Sequence, residues 1–176
     1  MSRVLILHGW GGSDYPHWQS WLAGELAKDY GIVAFPKLED IDKPNLDEWL
    51  EQLCDIVNYF KPNIVVCHSL ANTLWFWYAS GNENIKLDKL FLVAMPSLNT
   101  NQDELSSFFP APMPESLGAK ETYIVASNND IWCSVDEAKE IANHYGANFK
   151  LLESAGHIND SSGYGKWEWI KEMVKK

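Results

Sequence analysis

Positive charge is what this sequence has least of. Its 14 Lys and Arg are outnumbered by 24 Asp and Glu, a formal net charge of −10. A nucleic-acid surface needs a basic stripe, and an anionic leaflet attracts polybasic segments. Neither nucleic acid nor membrane is therefore expected as a partner. Long hydrophobic runs are missing too. No stretch approaches the roughly 20 apolar residues that cross a bilayer. The apolar run near the N-terminus, Val4 to Leu7, is too short for the central region of a signal peptide. Cysteine is scarce and odd in number: Cys54, Cys67 and Cys133 show no metal-ligand spacing. These absences lead us to expect a reducing, cytoplasmic setting with no metal. With 11 Gly, 8 Pro and no internal repeat, neither a fibre nor a solenoid is indicated.

What is present is enough apolar material for one core. The 176 residues are 46% hydrophobic, and we expect a single domain over residues 1–176. Short apolar runs at 3–7, 32–35, 63–67, 89–94, 122–126 and 149–152 read as strands. Between them lie helical patterns. Trp18, Trp21, Leu22 and Leu26 recur at helical spacing, with Gly31 as the expected stop. Leu46, Trp49, Leu50, Leu53, Ile56, Val57 and Phe60 form one stripe, capped by Asn45 and ended by Lys61-Pro62. A third, apolar nearly all round, runs from Ser69 to about Ala79. A fourth covers 134–145, with Ser134 and Glu137 as a capping box and Gly146 as its stop. A closing helix is expected over 165–174. Residues 95–117 hold four prolines and no steady period, so we expect a long excursion there.

Strands of this kind, buried on both faces and alternating with helices, predict a three-layer α/β sandwich. It would have about six parallel strands and no cap domain. In such sheets the site lies beyond the carboxyl ends of the strands. Three of those ends carry chemistry. Ser69 opens the helix after the third strand, Asp130 follows the fifth, and His157 follows the sixth. A serine hydroxyl is a poor nucleophile until a base takes its proton. Histidine suits that task near neutral pH. A carboxylate must fix the imidazole tautomer and stabilise the imidazolium. The order Ser, Asp, His is that of α/β-hydrolases. The amide of Leu70, at a helix N-terminus, and that of Trp10, in the glycine-rich loop after the first strand, are the expected oxyanion donors. Trp10 and Trp132 lie in site loops, and we expect them to line a substrate pocket.

Each residue also has a plainer reading. Ser69 could be a helix cap, Asp130 a turn residue, and His157 a solvent-exposed loop histidine. Asp103 and Asp160 are alternative acids. His8 and His68 are expected to be hydrogen-bonded structural neighbours, His17 to steady the first loop, and His144 to sit on a helix surface. The nucleophile motif reads Cys67-His68-Ser69-Leu70-Ala71, so Cys67 and Ala71 stand where Gly is usual. The Gly9, Gly11, Gly12 loop matches neither dinucleotide nor phosphate-loop spacing, and no cofactor is expected.

Taken together, His8-Gly-Trp-Gly-Gly-Ser, His17-Trp18-Gln-Ser-Trp21-Leu22, His68-Ser69-Leu70, Ser127-Asn128-Asn129-Asp130 and Gly156-His157-Ile158-Asn159 give the chain a family likeness. It resembles the small serine hydrolases related to retinoblastoma-binding protein nine and to bacterial YdeN-like proteins. The resemblance spans nearly the whole chain. It implies an α/β-hydrolase core without the first antiparallel strands or a cap, and Ser69, Asp130 and His157 as the triad. The expected activity is cleavage of small carboxylic esters, less so amides or thioesters, through an acyl-serine. The alternative is a hydrolase-like scaffold that binds a protein partner, for which Phe108-Phe109-Pro110 and Met113-Pro114 would be the contact. The same segment could instead be a lid or pack onto the sheet.

Overall fold

The computed structural model describes residues 2–176. In chain order the elements are β1 (Ser2–Leu7), α1 (Trp18–Asp29), β2 (Gly31–Ala34), α2 (Leu46–Phe60), β3 (Ile64–His68), α3 (Leu70–Ser80), β4 (Leu87–Val93), β5 (Ala119–Ser127), α4 (Val135–His144), β6 (Asn148–Leu152) and α5 (Glu168–Lys175). Short 3-10 helices cover Asp103–Phe108 and Asp160–Ser162. The strands form one six-stranded sheet in the order β2-β1-β3-β4-β5-β6, and every pairing is parallel.

Alternation along the strands divides the core in two. Leu5, Leu7, Val65, Cys67, Leu90, Leu92 and Ile124 face α2, α3 and α4. Val4, Ile6, Val66, Phe91, Val93 and Val125 face α1 and α5. A period of two on strands covered on both sides produces this split. Among the described residues there is no cap domain, and no helix is long and apolar enough to cross a membrane.

The α2 stripe is realised as read. The Asn45 side chain accepts from the Asp47 and Glu48 amides, and Lys61 closes the helix in a left-handed conformation. Elsewhere the structure moves some boundaries. Gly31 does not stop α1, which is capped by Tyr30. It opens β2 instead, where a Cβ would lie 2.3 Å from the Ser2 carbonyl oxygen, so only glycine lets β2 approach β1. The closing helix starts at Glu168 rather than 165, because the preceding stretch is laid out to put Trp167 edge-on against Trp18 at 5.1 Å. β5 begins at Ala119, three residues earlier than its apolar run, since Lys120 and Glu121 are exposed there. The expected capping box on α4 is half made. Ser134 accepts from the Glu137 amide, but the Glu137 carboxylate accepts from Ser97 Oγ and the Leu98 amide.

That last contact explains the 95–117 excursion. Besides Glu137, it is held by Trp77 Nε1 donating to the Phe108 carbonyl, by Ser107 Oγ accepting from the Leu46 amide, and by Trp75 Nε1 donating to the Leu117 carbonyl. Phe108 and Pro114 are buried and Phe109 half-buried, leaving Pro110 and Met113 exposed. The segment packs onto the sheet's helical layer; it is not a free lid.

Replacing Asn45 removes the acceptor that serves two otherwise orphaned amides. Asn45→Ala is expected to cost about 1 kcal/mol, read as a fall in Tm of about 2–4 °C in a chain of this size. An unchanged melt would show the cap to be dispensable.

Candidate active site

At the carboxyl end of β3 the chain turns sharply at Ser69, whose φ is 55° and ψ −125°. This is a left-handed conformation for a residue with a Cβ, and it is costly. The surroundings hold it. The Ser69 amide donates to the Val93 carbonyl. Asn72 Nδ2 donates to the carbonyls of Ser69, at 2.7 Å, and Val93, at 2.9 Å. The loop after β1 presses on the turn from the other side. A Cβ on Gly9 would lie 2.7 Å from Ser69 Cβ and 3.1 Å from the Leu70 nitrogen. Glycine is thus required there by close approach, not by its own conformation.

The loops after β5 and β6 are bonded to each other residue by residue. Asn128 Oδ1 accepts from the Ser154 amide, Ser127 Oγ from the Ala155 amide, and Asn129 Oδ1 from the Gly156 amide. The next pair in this series is Asp130 with His157. His157 Nδ1 lies 2.9 Å from Asp130 Oδ2 and 3.0 Å from Oδ1. His157 Nε2 lies 2.8 Å from Ser69 Oγ. Ser69, His157 and Asp130 therefore form one continuous hydrogen-bonded chain. The Asp130 side chain is only 3% exposed, against 15% for His157. Its Oδ1 also accepts from the Trp132 amide. Asp103 and Asp160, the alternative acids, are both exposed, and neither bonds His157.

A cavity of about 190 Å³ opens beside Ser69 and His157. Trp10, Leu70, Pro96, Leu105 and Trp132 line it. Trp10 is steadied by its indole N–H, which donates to the Asp42 carbonyl. Behind the site the buried histidines are structural, as their strand-end positions implied. His8 Nε2 accepts from the Leu38 amide. His68 Nε2 donates to the carbonyl of His157 itself at 3.0 Å. Burial holds His68 well below its ordinary value, and the neighbouring His157 and His17 push the same way. His17 caps α1 by accepting from the Gln19 amide, and burial brings it down to about 4. His144 is exposed on α4.

The thiols near the site are inert. Burial, with Glu137 and Asp130 adding to it, pushes Cys133 up to about 12, and burial alone raises Cys67. A thiol that stays protonated is no nucleophile.

Residues 4–176 match the model of the family described as serine hydrolase. The chain belongs to that family. It is a hydrolase, and the relatives agree with its architecture. YdeN of Bacillus subtilis (strain 168) is 27% identical over 173 residues, covering 92% of this chain and 88% of YdeN. The crystal structure of the B. subtilis ydeN product superposes with a TM-score of 0.86 at 20% identity, over 99% of this chain and 97% of that one. A YdeN-like protein from Pectobacterium atrosepticum gives a TM-score of 0.77 at 21% identity, over 99% and 89%.

Some residues of the hydrolase site had no signal of their own in the sequence. Asn72 sits in a helix that is apolar nearly all round, and that mismatch was the available hint. Asn128 and Asn129 belong to the Ser127-Asn128-Asn129-Asp130 motif, but only the fold shows that their side chains join two loops.

The buried histidines give the hydrolase an acid limit. A group whose folded pKa is lowered is protonated first in the unfolded chain, so stability falls as pH drops from the unfolded value toward the folded one. For His17 that window runs from about 6.5 to about 4. Tm is expected to fall across it, and less steeply in His17→Asn, which keeps a capping side chain. Parallel curves for the two proteins would remove His17 from the account.

Proposed function

We propose that this hydrolase cleaves small carboxylic esters through an acyl-Ser69 intermediate, with His157 as base and Asp130 as its orienting acid. The observation that carries the reading is the hydrogen-bonded chain from Ser69 Oγ through His157 to the buried Asp130. Amides and thioesters are second candidates for the same chemistry.

In this reading Ser69 Oγ attacks the ester carbonyl carbon while its proton passes to His157 Nε2. The carbonyl oxygen becomes an oxyanion. The Leu70 amide serves it, since it is the first of α3 and has no carbonyl within the helix to bond. The Trp10 amide joins it from the loop that packs against Ser69 through Gly9. On collapse the carbonyl re-forms, the carbon–oxygen bond to the alcohol breaks, and His157 gives that alcohol its proton. Water then enters, loses a proton to His157 and attacks the acyl carbon. The acid departs as the proton returns to Ser69. Asp130 keeps the proton of the resting imidazole on Nδ1 and stabilises the imidazolium. No step calls on a cofactor or metal. Trp10 and Trp132 would flank the substrate in the cavity.

A fluorophosphonate probe reacts with an activated serine, so it should label the parent and neither Ser69→Ala nor His157→Ala. Asp130→Asn should keep the fold and lose about 10⁴ in kcat. A folded parent that takes no label and turns over no ester would overturn the proposal and return attention to a binding role.

A further inference from the structure

The loop carrying His157 is held from two sides. Its amides are bonded by Ser127, Asn128 and Asn129. Its carbonyls are bonded by two aromatic N–H groups from elements distant in sequence. His68 Nε2 donates to the His157 carbonyl at 3.0 Å. Trp18 Nε1 donates to the next carbonyl, that of Ile158, at 2.8 Å. Two successive peptide groups are thereby fixed, one from β3 and one from the first residue of α1. Ile158 needs this grip. Its φ is 48°, a conformation that a β-branched side chain strongly disfavours. Relaxation toward negative φ would rotate the 157–158 peptide, and the imidazole of His157 would move with it.

Trp18 is itself firmly placed. As the first residue of α1 its amide has no partner within the helix, and it donates to the Tyr164 carbonyl at 2.9 Å. The indole and the amide of one residue thus bond both ends of the 158–164 stretch. The ring stands nearly perpendicular to His68, with centroids 5.8 Å apart, and to Trp167 at 5.1 Å. Trp18 and Ile158 are both fully buried in the α1–α5 core. Removing the indole N–H therefore takes a donor from a carbonyl that water does not reach, which is costly. Trp18 does not line the cavity beside Ser69, so any effect it has on turnover passes through the loop of His157.

Resting on the acyl-serine reading above, we propose that Trp18 is a positioning residue for the reaction. Its indole N–H, together with the His68 imidazole, sets the backbone of His157 and Ile158. Through that backbone it sets the 2.8 Å approach of His157 Nε2 to Ser69 Oγ. The His17-Trp18 pair thus does two jobs: His17 caps α1, and Trp18 aims the base.

The test separates kcat from KM on a short-chain ester and adds the rate of fluorophosphonate labelling. Trp18→Phe keeps an aromatic ring and loses the N–H. Its kcat should fall by about 10- to 100-fold, the scale of a misplaced reacting group, with KM within about twofold of the parent. Labelling should slow by a similar factor, since it draws on the same activated serine. Replacing Trp18 with benzothienylalanine puts sulfur where the N–H was, in a ring of nearly the same shape. It should lose kcat in the same way with the packing preserved, and it decides the matter if Trp18→Phe fails to fold. Leu26→Ala, a buried truncation further along α1, should lower Tm and leave kcat near that of the parent. An unchanged kcat in the folded Trp18 variants, a loss confined to KM, or an equal fall of kcat in Leu26→Ala would overturn the assignment. Ester turnover by the parent would still leave the acyl-serine reading intact. Absence of both label and turnover in the parent would remove the two together.

Discussion

The site depends on how the loops after β5 and β6 are joined. Within the sheet their strands pair through backbone, ending at Ser127 opposite Leu152. One more backbone bond follows, from the Asn128 amide to the Leu152 carbonyl. Beyond it the chains splay, and side chains take over. Asn128, Ser127 and Asn129 each bond an amide of the facing loop before Asp130 meets His157. The acid–base contact is therefore the last rung of a ladder that begins in the core. A side-chain pair isolated on two free loops would have to pay its own ordering entropy; here most of that ordering is already done.

The other half of the arrangement is the nucleophile turn, and His68 connects it to the first. His68 precedes Ser69 in the chain and grips the His157 carbonyl. One segment thus fixes Ser69 through backbone and His157 through an imidazole. That imidazole must stay neutral to be tolerated where it lies, and burial ensures that it does. The site is consequently assembled from both faces of the sheet: the base comes with the α1–α5 core, and Leu70 and Leu105 beside the cavity with the opposite one.

Much of this is legible in the sequence. Apolar runs marked all six strands, and the stripe from Leu46 to Phe60 with Asn45 before it gave α2 closely, because both signals are local and periodic. The order of Ser69, Asp130 and His157 at strand ends was enough to nominate the three side chains that the fold brings into one chain of hydrogen bonds. What stayed hidden was non-local. Gly31 looked like a helix stop because its real constraint is the Ser2 carbonyl, some 29 positions away in sequence. Glu137 had the spacing of a capping box, but tertiary contacts to Ser97 and Leu98 outcompete the local bond. Leu105 carried no pattern, and its place beside the cavity comes from a connection anchored to two helices.

The Ser69 turn has a last consequence. Its left-handed backbone is one of several in the site's loops, with Ala94, Ser154 and Ile158 also at positive φ. Each such residue costs on the order of 1–3 kcal/mol that the rest of the fold must offset. Glycine would relieve all of them, and at position 69 it would delete the hydroxyl as well. Stability and reactivity thus pull this one position in opposite directions. Drift toward a sturdier protein, unchecked by selection for turnover, would disarm it.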